Sequence, residues 1–251
     1  MKNKENRMER KAAYANLAKW FEYLNDDCGY ENWSQYFITK LKGYPVRTGL
    51  DIGCGGGWFT RAFQKAGYAM TGLDISPEML DYAQETALKE GARSEYLLGD
   101  ITHFKSPKKY DFATAINDCM NYIPKNKLDG AFKCVKGALV KGGIFLFDIS
   151  SERKFREKIA NTVSVDDRDD VTYMSFNKQE EDGVTMDVTL FVRQKDGKYE
   201  RLDETHRQYC YTQQEITDTL QRNGFTLLGV EGHLGEEVST TDRILFIAKK
   251  D

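Results

Sequence analysis

The stretch Gly49–Thr60, GLDIGCGGGWFT, constrains the fold more than any other part of the chain. It starts as an apolar strand, TGLDIG, and then spends four of the five residues from Gly53 to Gly57 on glycine. A helix-like segment, WFTRAFQKAG, follows at once. Glycine lets a backbone turn sharply and approach a ligand that a Cβ would hold off. A strand end meeting a helix start is where open α/β sheets bind ligands. The first N–H groups of that helix are free to donate to an electronegative group.

Several cofactors use glycine loops, so what this one omits matters. A P-loop grips phosphate with Gly-Lys-Ser/Thr, and no lysine occurs from Gly49 to Thr60. A dinucleotide fingerprint needs a sixth-position glycine counted from Gly53, and Trp58 stands there. Asp51, two residues ahead of the first loop glycine, would repel a pyrophosphate and suits a ligand carrying positive charge.

Strand-like and helix-like runs alternate from Arg47 to Ser150, the pattern of a parallel sheet with covering helices. Ala69–Ile75 reads as the second strand, and Ser76 with Pro77 opens a helix that Gly91 closes. SEYLLGD, YDFATAIN and GGIFLFDIS are strands three to five, with a helix from about Lys125 to Val140 before the last. Four successive strand tips then carry Asp51, Asp74, Gly99-Asp100 and Asn117-Asp118. One strand-tip acid reads as a cap or turn. Four beside a glycine loop describe a pocket for a ribose-containing, partly cationic small molecule, with Asp74 placed to accept from ribose hydroxyls.

The rest of the chain is organised differently. Residues 151–211 hold an acidic bend, DDRDD, and period-two stretches around a KDGK turn, which predict a long-armed antiparallel hairpin. This segment reads as an insertion packed on the α/β core, serving as a substrate lid. Thr212 and Glu215 have capping-box spacing at the start of a further helix, and FTLLGVEGH and TDRILFIAKK finish as strands. The core is therefore 1–150 and 212–251, with an aromatic-rich N-terminal cap expected to be helical.

Composition narrows the partners. A net charge of −3 argues against a sequence-independent grip on nucleic acid. The N-terminal MKNKENRMERKAAYANLAKW lacks the apolar centre of a signal peptide, and no run is long enough to span a bilayer, so a cytoplasmic protein without membrane contact is expected. Five widely spaced cysteines read as reduced thiols, and three distant histidines make no metal-ligand pattern, so no metal is expected.

Asp51-x-Gly53-x-Gly55-x-Gly57, then Asp74, then Gly99-Asp100, are similar to the cofactor motifs of class I S-adenosylmethionine-dependent methyltransferases. The resemblance covers about Arg47 to Ser150 and extends to the closing helix–strand–strand unit. It implies a doubly wound, seven-stranded, mostly parallel sheet of order 3-2-1-4-5-7-6 with the seventh strand antiparallel. It implies that Gly53, Cys54 and Gly55 line the methionine moiety, that Asp74 binds the ribose, and that Ile75 and Met79 pack on adenine. Asp100 and the Ile101 N–H would meet the adenine edge, Asn117 would lie under the sulfonium, and Asp51 would answer the cofactor's positive charge. The N-terminus and the insertion look like those of small-molecule methyltransferases, in which Tyr14 closes over the cofactor.

Methyl transfer needs position and a dry pocket, and a base only for some acceptors. His206, sharing a strand face with Glu204 and Gln208, is the candidate catalytic base or else an ordinary polar strand residue. Asp118, Asn121 and Tyr122 follow the fourth strand as candidate substrate contacts or loop caps. Two other readings stay open: an NAD(P)-dependent oxidoreductase on a Rossmann fold, and a non-catalytic S-adenosylmethionine-binding module. The sequence does not name the acceptor or the oligomeric state.

Overall fold

The computed structural model describes residues 11–251. In chain order the elements are β1 (Lys11–Ala12), α1 (Phe21–Leu24), α2 (Tyr30–Leu41), β2 (Thr48–Ile52), α3 (Trp58–Lys65), β3 (Ala69–Asp74), α4 (Pro77–Lys89), β4 (Glu95–Leu98) and β5 (Tyr110–Ala115). They continue with α5 (Leu128–Ala138), β6 (Leu139–Ser150), α6 (Glu152–Lys154), β7 (Val163–Asp167), β8 (Val171–Glu180), β9 (Gly183–Arg193), β10 (Tyr199–Tyr209), α7 (Gln213–Arg222), β11 (Phe225–Gly232) and β12 (Arg243–Lys250).

Seven strands form the main sheet in the order β11-β12-β6-β5-β2-β3-β4. Numbered among themselves these are 3-2-1-4-5-7-6, the expected order, and β12 runs antiparallel to both neighbours. β2 pairs in parallel with β3 on one side and β5 on the other. The strand order reverses there, so the loop after β2 sits at the sheet's switch point.

Local chemistry explains the covering helices. The Ser76 hydroxyl accepts from the Met79 N–H at the start of α4, with Pro77 as its first residue. Thr212 and Glu215 form the reciprocal capping box of α7. One sheet face buries Phe132, Phe145, Phe147, Phe225 and Phe246, with Phe147 stacked on Phe246 at 5.1 Å. The other face buries Trp33, Phe37, Phe59, Phe63 and Phe112 under α2 and α3.

A second sheet has the order β1-β10-β9-β8-β7. The expected hairpin is β9–β10, and Gly197 in its turn has φ +82°. β7 and β8 add a hairpin that the sequence reading passed over, and DDRDD supplies the end of β7 and the turn at 168–170. That turn is anchored: Arg168 donates to the Tyr23 and Leu24 carbonyls and pairs with Asp26. The N-terminal cap is less helical than expected. Lys11–Ala12 pairs as a strand with Glu204–Thr205, residues 13–20 form turns, and continuous helix begins at Phe21. No helix among the described residues is long and apolar enough to cross a membrane.

Candidate functional site

A cavity of about 340 Å³ opens at the C-terminal tips of β2, β3 and β5. Its floor is the glycine loop. Gly53, Gly55 and Gly57 have φ of +63°, +52° and +81°, a region that L side chains rarely adopt. A Cβ on Gly53 would lie 2.2 Å from the Cys119 Sγ, so glycine is required where the loop after β5 crosses it. A Cβ on Gly55 would meet nothing nearer than Met79 at 3.9 Å, which leaves that backbone open to the cavity.

Asp74 fixes this loop. One carboxylate oxygen accepts from the Gly55 N–H at 2.8 Å and the other from the Ser76 N–H at 2.9 Å. Burial raises its pKa, and the N–H groups of Ser76, Gly55 and Ile75 oppose that rise. Asp100 accepts from the Thr102 N–H at 2.8 Å. Tyr14, Gly53, Cys54, Gly55, Asp74, Ile75, Met79, Asp100, Ile101, Asn117 and Tyr122 all line the cavity. Ile75 is 66% exposed, an apolar side chain at the rim, whereas Met79 is buried.

Four expected site residues stand behind the walls instead. Asp51 is 2% exposed and accepts from the Thr60 hydroxyl at 2.6 Å and the Thr114 hydroxyl at 2.9 Å, which turns it into the sheet. Burial lifts its pKa to about 6 against those two bonds. Asn121 is a bolt: its amide donates to the Tyr209 carbonyl and its oxygen accepts from the Ser150 N–H. Asp118 pairs with Arg243 at 2.5 Å and accepts from Gln208 at 2.5 Å. His206 is 3% exposed and sits behind the lining residues Tyr14 and Tyr122, meeting the Tyr14 ring edge-on and hydrogen-bonding the Tyr122 hydroxyl. Cys54 and Cys119 have thiols pushed well up by burial, then by Asp74 and Asp51, which rules out a resting thiolate.

The switch in chain direction at Asn117 and Asp118 is held electrostatically. Both have positive φ, and their N–H groups donate to the two oxygens of Asp148 at 2.7 and 3.0 Å. Arg243 closes the cluster, donating to Asp118, Asp148 and the Asn117 side chain while stacking 4.7 Å from the Trp33 ring. Burial alone would raise the Asp118 carboxyl, but the Arg243 charge holds it below the usual range.

The roof comes from the N-terminal segment: Tyr14, Phe21, Glu22 and Tyr30 line it. Glu204 of β10 holds that segment by accepting the N–H groups of Tyr14, Asn16 and Leu17 at 3.1, 2.8 and 3.2 Å. Leu17 packs with Val171, Leu190 and Val192 of the second sheet. No described residue of 151–211 lines the cavity; that sheet carries the roof segment. Glu22 pairs with Arg61 of α3 at 2.9 Å, tying the roof to the loop.

Sequence reasoning passed over Glu22, Tyr30, Trp58 and Lys127, which also line the cavity. Tyr30 stood among many N-terminal aromatics, and Glu22 was one acid among 39 acidic residues with no motif around it. Trp58 entered only as an obstacle to a dinucleotide. The lining carries the carboxylates of Glu22, Asp74 and Asp100 against the single ammonium of Lys127 among the described residues. A glycine floor, a buried carboxylate at the second strand tip and an acidic wall suit a nucleoside cofactor that bears positive charge.

This sheet order with this loop defines a methyltransferase of the S-adenosylmethionine-using α/β kind. A methyltransferase-domain family matches residues 50–143. A protein of Geobacillus sp. (strain WCH70) bearing the name "Putative methyltransferase" is 30% identical over 245 residues, covering 94% of this chain and 99% of its own. The crystal structure of an S-adenosylmethionine-dependent methyltransferase from Clostridium acetobutylicum ATCC 824 superposes with a TM-score of 0.84 at 28% identity, covering 92% of this chain and 96% of that one. A ubiquinone biosynthesis O-methyltransferase of Vibrio atlanticus (strain LGP32) is 30% identical over 123 residues, 48% of this chain and 50% of its own. The chain belongs to the class I S-adenosylmethionine-dependent methyltransferases.

Proposed function

We propose that the cavity holds S-adenosylmethionine on the glycine loop and methylates a small molecule enclosed beneath the N-terminal segment. When bound, the cofactor supplies a methyl group activated on a sulfonium, which leaves as a neutral thioether. Gly53, Cys54 and Gly55 would cradle its amino-acid end, and the Asp74 carboxylate would accept from the ribose hydroxyls. Ile75 and Met79 would cover the adenine, Asp100 and the Ile101 N–H would meet its polar edge, and Asn117 would lie under the reacting centre. Asp51 acts from behind the loop as a buried charge rather than as a contact.

The observation that carries the small-molecule reading is the roof. Tyr14, Phe21, Glu22 and Tyr30 stand over the cavity, and Glu204 and Arg61 pin the segment down. An acceptor inside that enclosure must be small, whereas an exposed polymer strand would need an open groove. The likeness to a protein named for ubiquinone O-methylation, limited to half its length, points the same way. The second sheet is then the platform of the lid, and the lid is the segment from Ala13 to Glu22.

Calorimetric titration with S-adenosylhomocysteine tests the cofactor assignment. Asp74→Ala removes a carboxylate that makes charge-assisted hydrogen bonds, worth roughly 1.5–3 kcal/mol, so Kd should rise about 10- to 150-fold. An unchanged Kd in the folded variant places the ribose elsewhere.

A further inference from the structure

We propose that Tyr14, Tyr122, His206 and Glu204 form a proton relay that takes the proton from the acceptor atom, with Tyr14 touching the acceptor and His206 holding the proton at the end. The proposal rests on the cavity reading above and names a property of the acceptor: its reacting heteroatom arrives carrying a proton, as a hydroxyl or an ammonium does.

The hydrogen bonds run in one direction. The Tyr14 hydroxyl donates to the Tyr122 hydroxyl at 2.8 Å. Tyr122, having accepted that bond, gives its own proton to His206 Nδ1 at 3.1 Å. His206 Nε2 lies 2.6 Å from a Glu204 oxygen, so Nε2 carries the ring proton and Nδ1 is the acceptor. Tyr14 and Tyr122 line the cavity, while His206 and Glu204 are buried at 3% and 0% exposure. Tyr14, with its proton given to Tyr122, keeps oxygen lone pairs for a proton coming from the cavity. The Tyr14 ring also meets the His206 ring edge-on at 4.8 Å, which fixes both planes.

The proton balance is complete. The X–H bond of the acceptor breaks and its electron pair stays on X for the new X–C bond; the sulfonium keeps the pair of the broken S–C bond. The proton goes to the Tyr14 oxygen, the Tyr14 proton to the Tyr122 oxygen, and the Tyr122 proton to His206 Nδ1. The resulting imidazolium faces the Glu204 carboxylate. Carboxylate, imidazole and hydroxyl stand in the order that lets a buried acid stabilise a charged imidazole.

Titration directions agree. Burial raises the Tyr14 and Tyr122 phenols well above their ordinary value, so they pass protons and do not act as standing bases. Burial alone would raise Glu204, but His206 and the N–H groups of Asn16 and Tyr14 bring it below the usual range and keep it ionised. Among the described residues, His206 meets Glu204 on its own strand, Tyr122 after β5 and Tyr14 from the roof, while Tyr173 of β8 acts on Glu204 and Tyr122, and Asp118 on Tyr122 and Tyr14.

The test uses the full chain with S-adenosylhomocysteine bound and imidazole nitrogens labelled with ¹⁵N; His206→Gln assigns the resonances among the three histidines. The relay requires the His206 proton on Nε2 at pH 8, and a shift of the Nδ1 resonance in Tyr122→Phe. A proton on Nδ1, or no response to Tyr122→Phe, overturns it. In parallel, transfer of radiolabelled methyl from S-adenosylmethionine to the small-molecule fraction of a bacterial extract is followed against pH. His206→Gln keeps a donor for Glu204 and an acceptor for Tyr122 but takes no proton, so the rate should fall about 100-fold and lose its acidic limb, with Kd for S-adenosylhomocysteine within about twofold. A wild-type rate and pH profile in His206→Gln overturns the relay. If that variant does not fold, Tyr122→Phe carries the same kinetic expectation. A wild-type protein that fails to bind S-adenosylhomocysteine, or transfers no methyl to the extract, overturns the cavity reading beneath it.

Discussion

Asp51→Asn tests the electrostatics beneath the glycine loop. The Asp51 carboxyl is 2% exposed, and burial lifts its pKa from 3.8 to about 6 even though two threonine hydroxyls donate to it. The sign follows from linkage. Below about pH 4 both folded and unfolded chains hold the proton, and the group contributes nothing. Between about pH 4 and 6 the unfolded chain releases its proton while the folded chain keeps it, so stability falls as pH rises. Above about pH 6 the full penalty is present: a gap of about two in pKa is worth about 3 kcal/mol. Asparagine cannot ionise and still satisfies both threonines, because each hydroxyl can accept as well as donate. Asp51→Asn should therefore match the wild type near pH 4 and exceed it by about 3 kcal/mol at pH 8, or about 6–12 °C in Tm for a chain of this size. Urea unfolding followed by circular dichroism from pH 4 to 8 reads this directly. Parallel stability curves for the two proteins, or a variant less stable at pH 8, would mean that burial imposes no ionisation penalty on Asp51.

Two further substitutions probe the frame of the site. Gly53→Ala places a Cβ 2.2 Å from the Cys119 Sγ at a φ of +63°, so the loop must shift; thermal unfolding should show a loss of about 2 kcal/mol or more, with S-adenosylhomocysteine binding weakened beyond detection by calorimetry. Arg243→Ala strands the buried carboxylates of Asp118 and Asp148, and urea unfolding should show a loss of about 3–5 kcal/mol at pH 8. That loss shrinks as acid protonates Asp148, whose pKa burial already raises.

The floor of the site was legible in the sequence because it is local. Gly53 to Gly57, Asp74 and Asp100 act through backbone geometry and strand position, and both can be read from spacing along one chain. The sheet order came from the resemblance carried by those motifs, since spacing places the strands along the chain but not beside one another. What failed to show is non-local. Glu204 grips Tyr14, Asn16 and Leu17 across 187 to 190 residues of sequence, and no spacing rule links residues so far apart. Arg243 joins Asp118 and Asp148 in the same way. Asp51 shows the opposite limit: its position was right, but the facing hydroxyls of Thr60 and Thr114 decide that it turns into the sheet. His206 was found by its shared strand face with Glu204 and Gln208, yet its burial behind Tyr122 could be seen only in three dimensions.

The most direct test of the account is a crystal structure of the protein with S-adenosylhomocysteine. The nucleoside should lie in the cavity above Gly53–Gly55, with both ribose hydroxyls on the Asp74 carboxylate, adenine between Ile75 and Asp100, and the sulfur facing Asn117 and Tyr14. A ligand seated away from the glycine loop, or a ribose with no contact to Asp74, would contradict it.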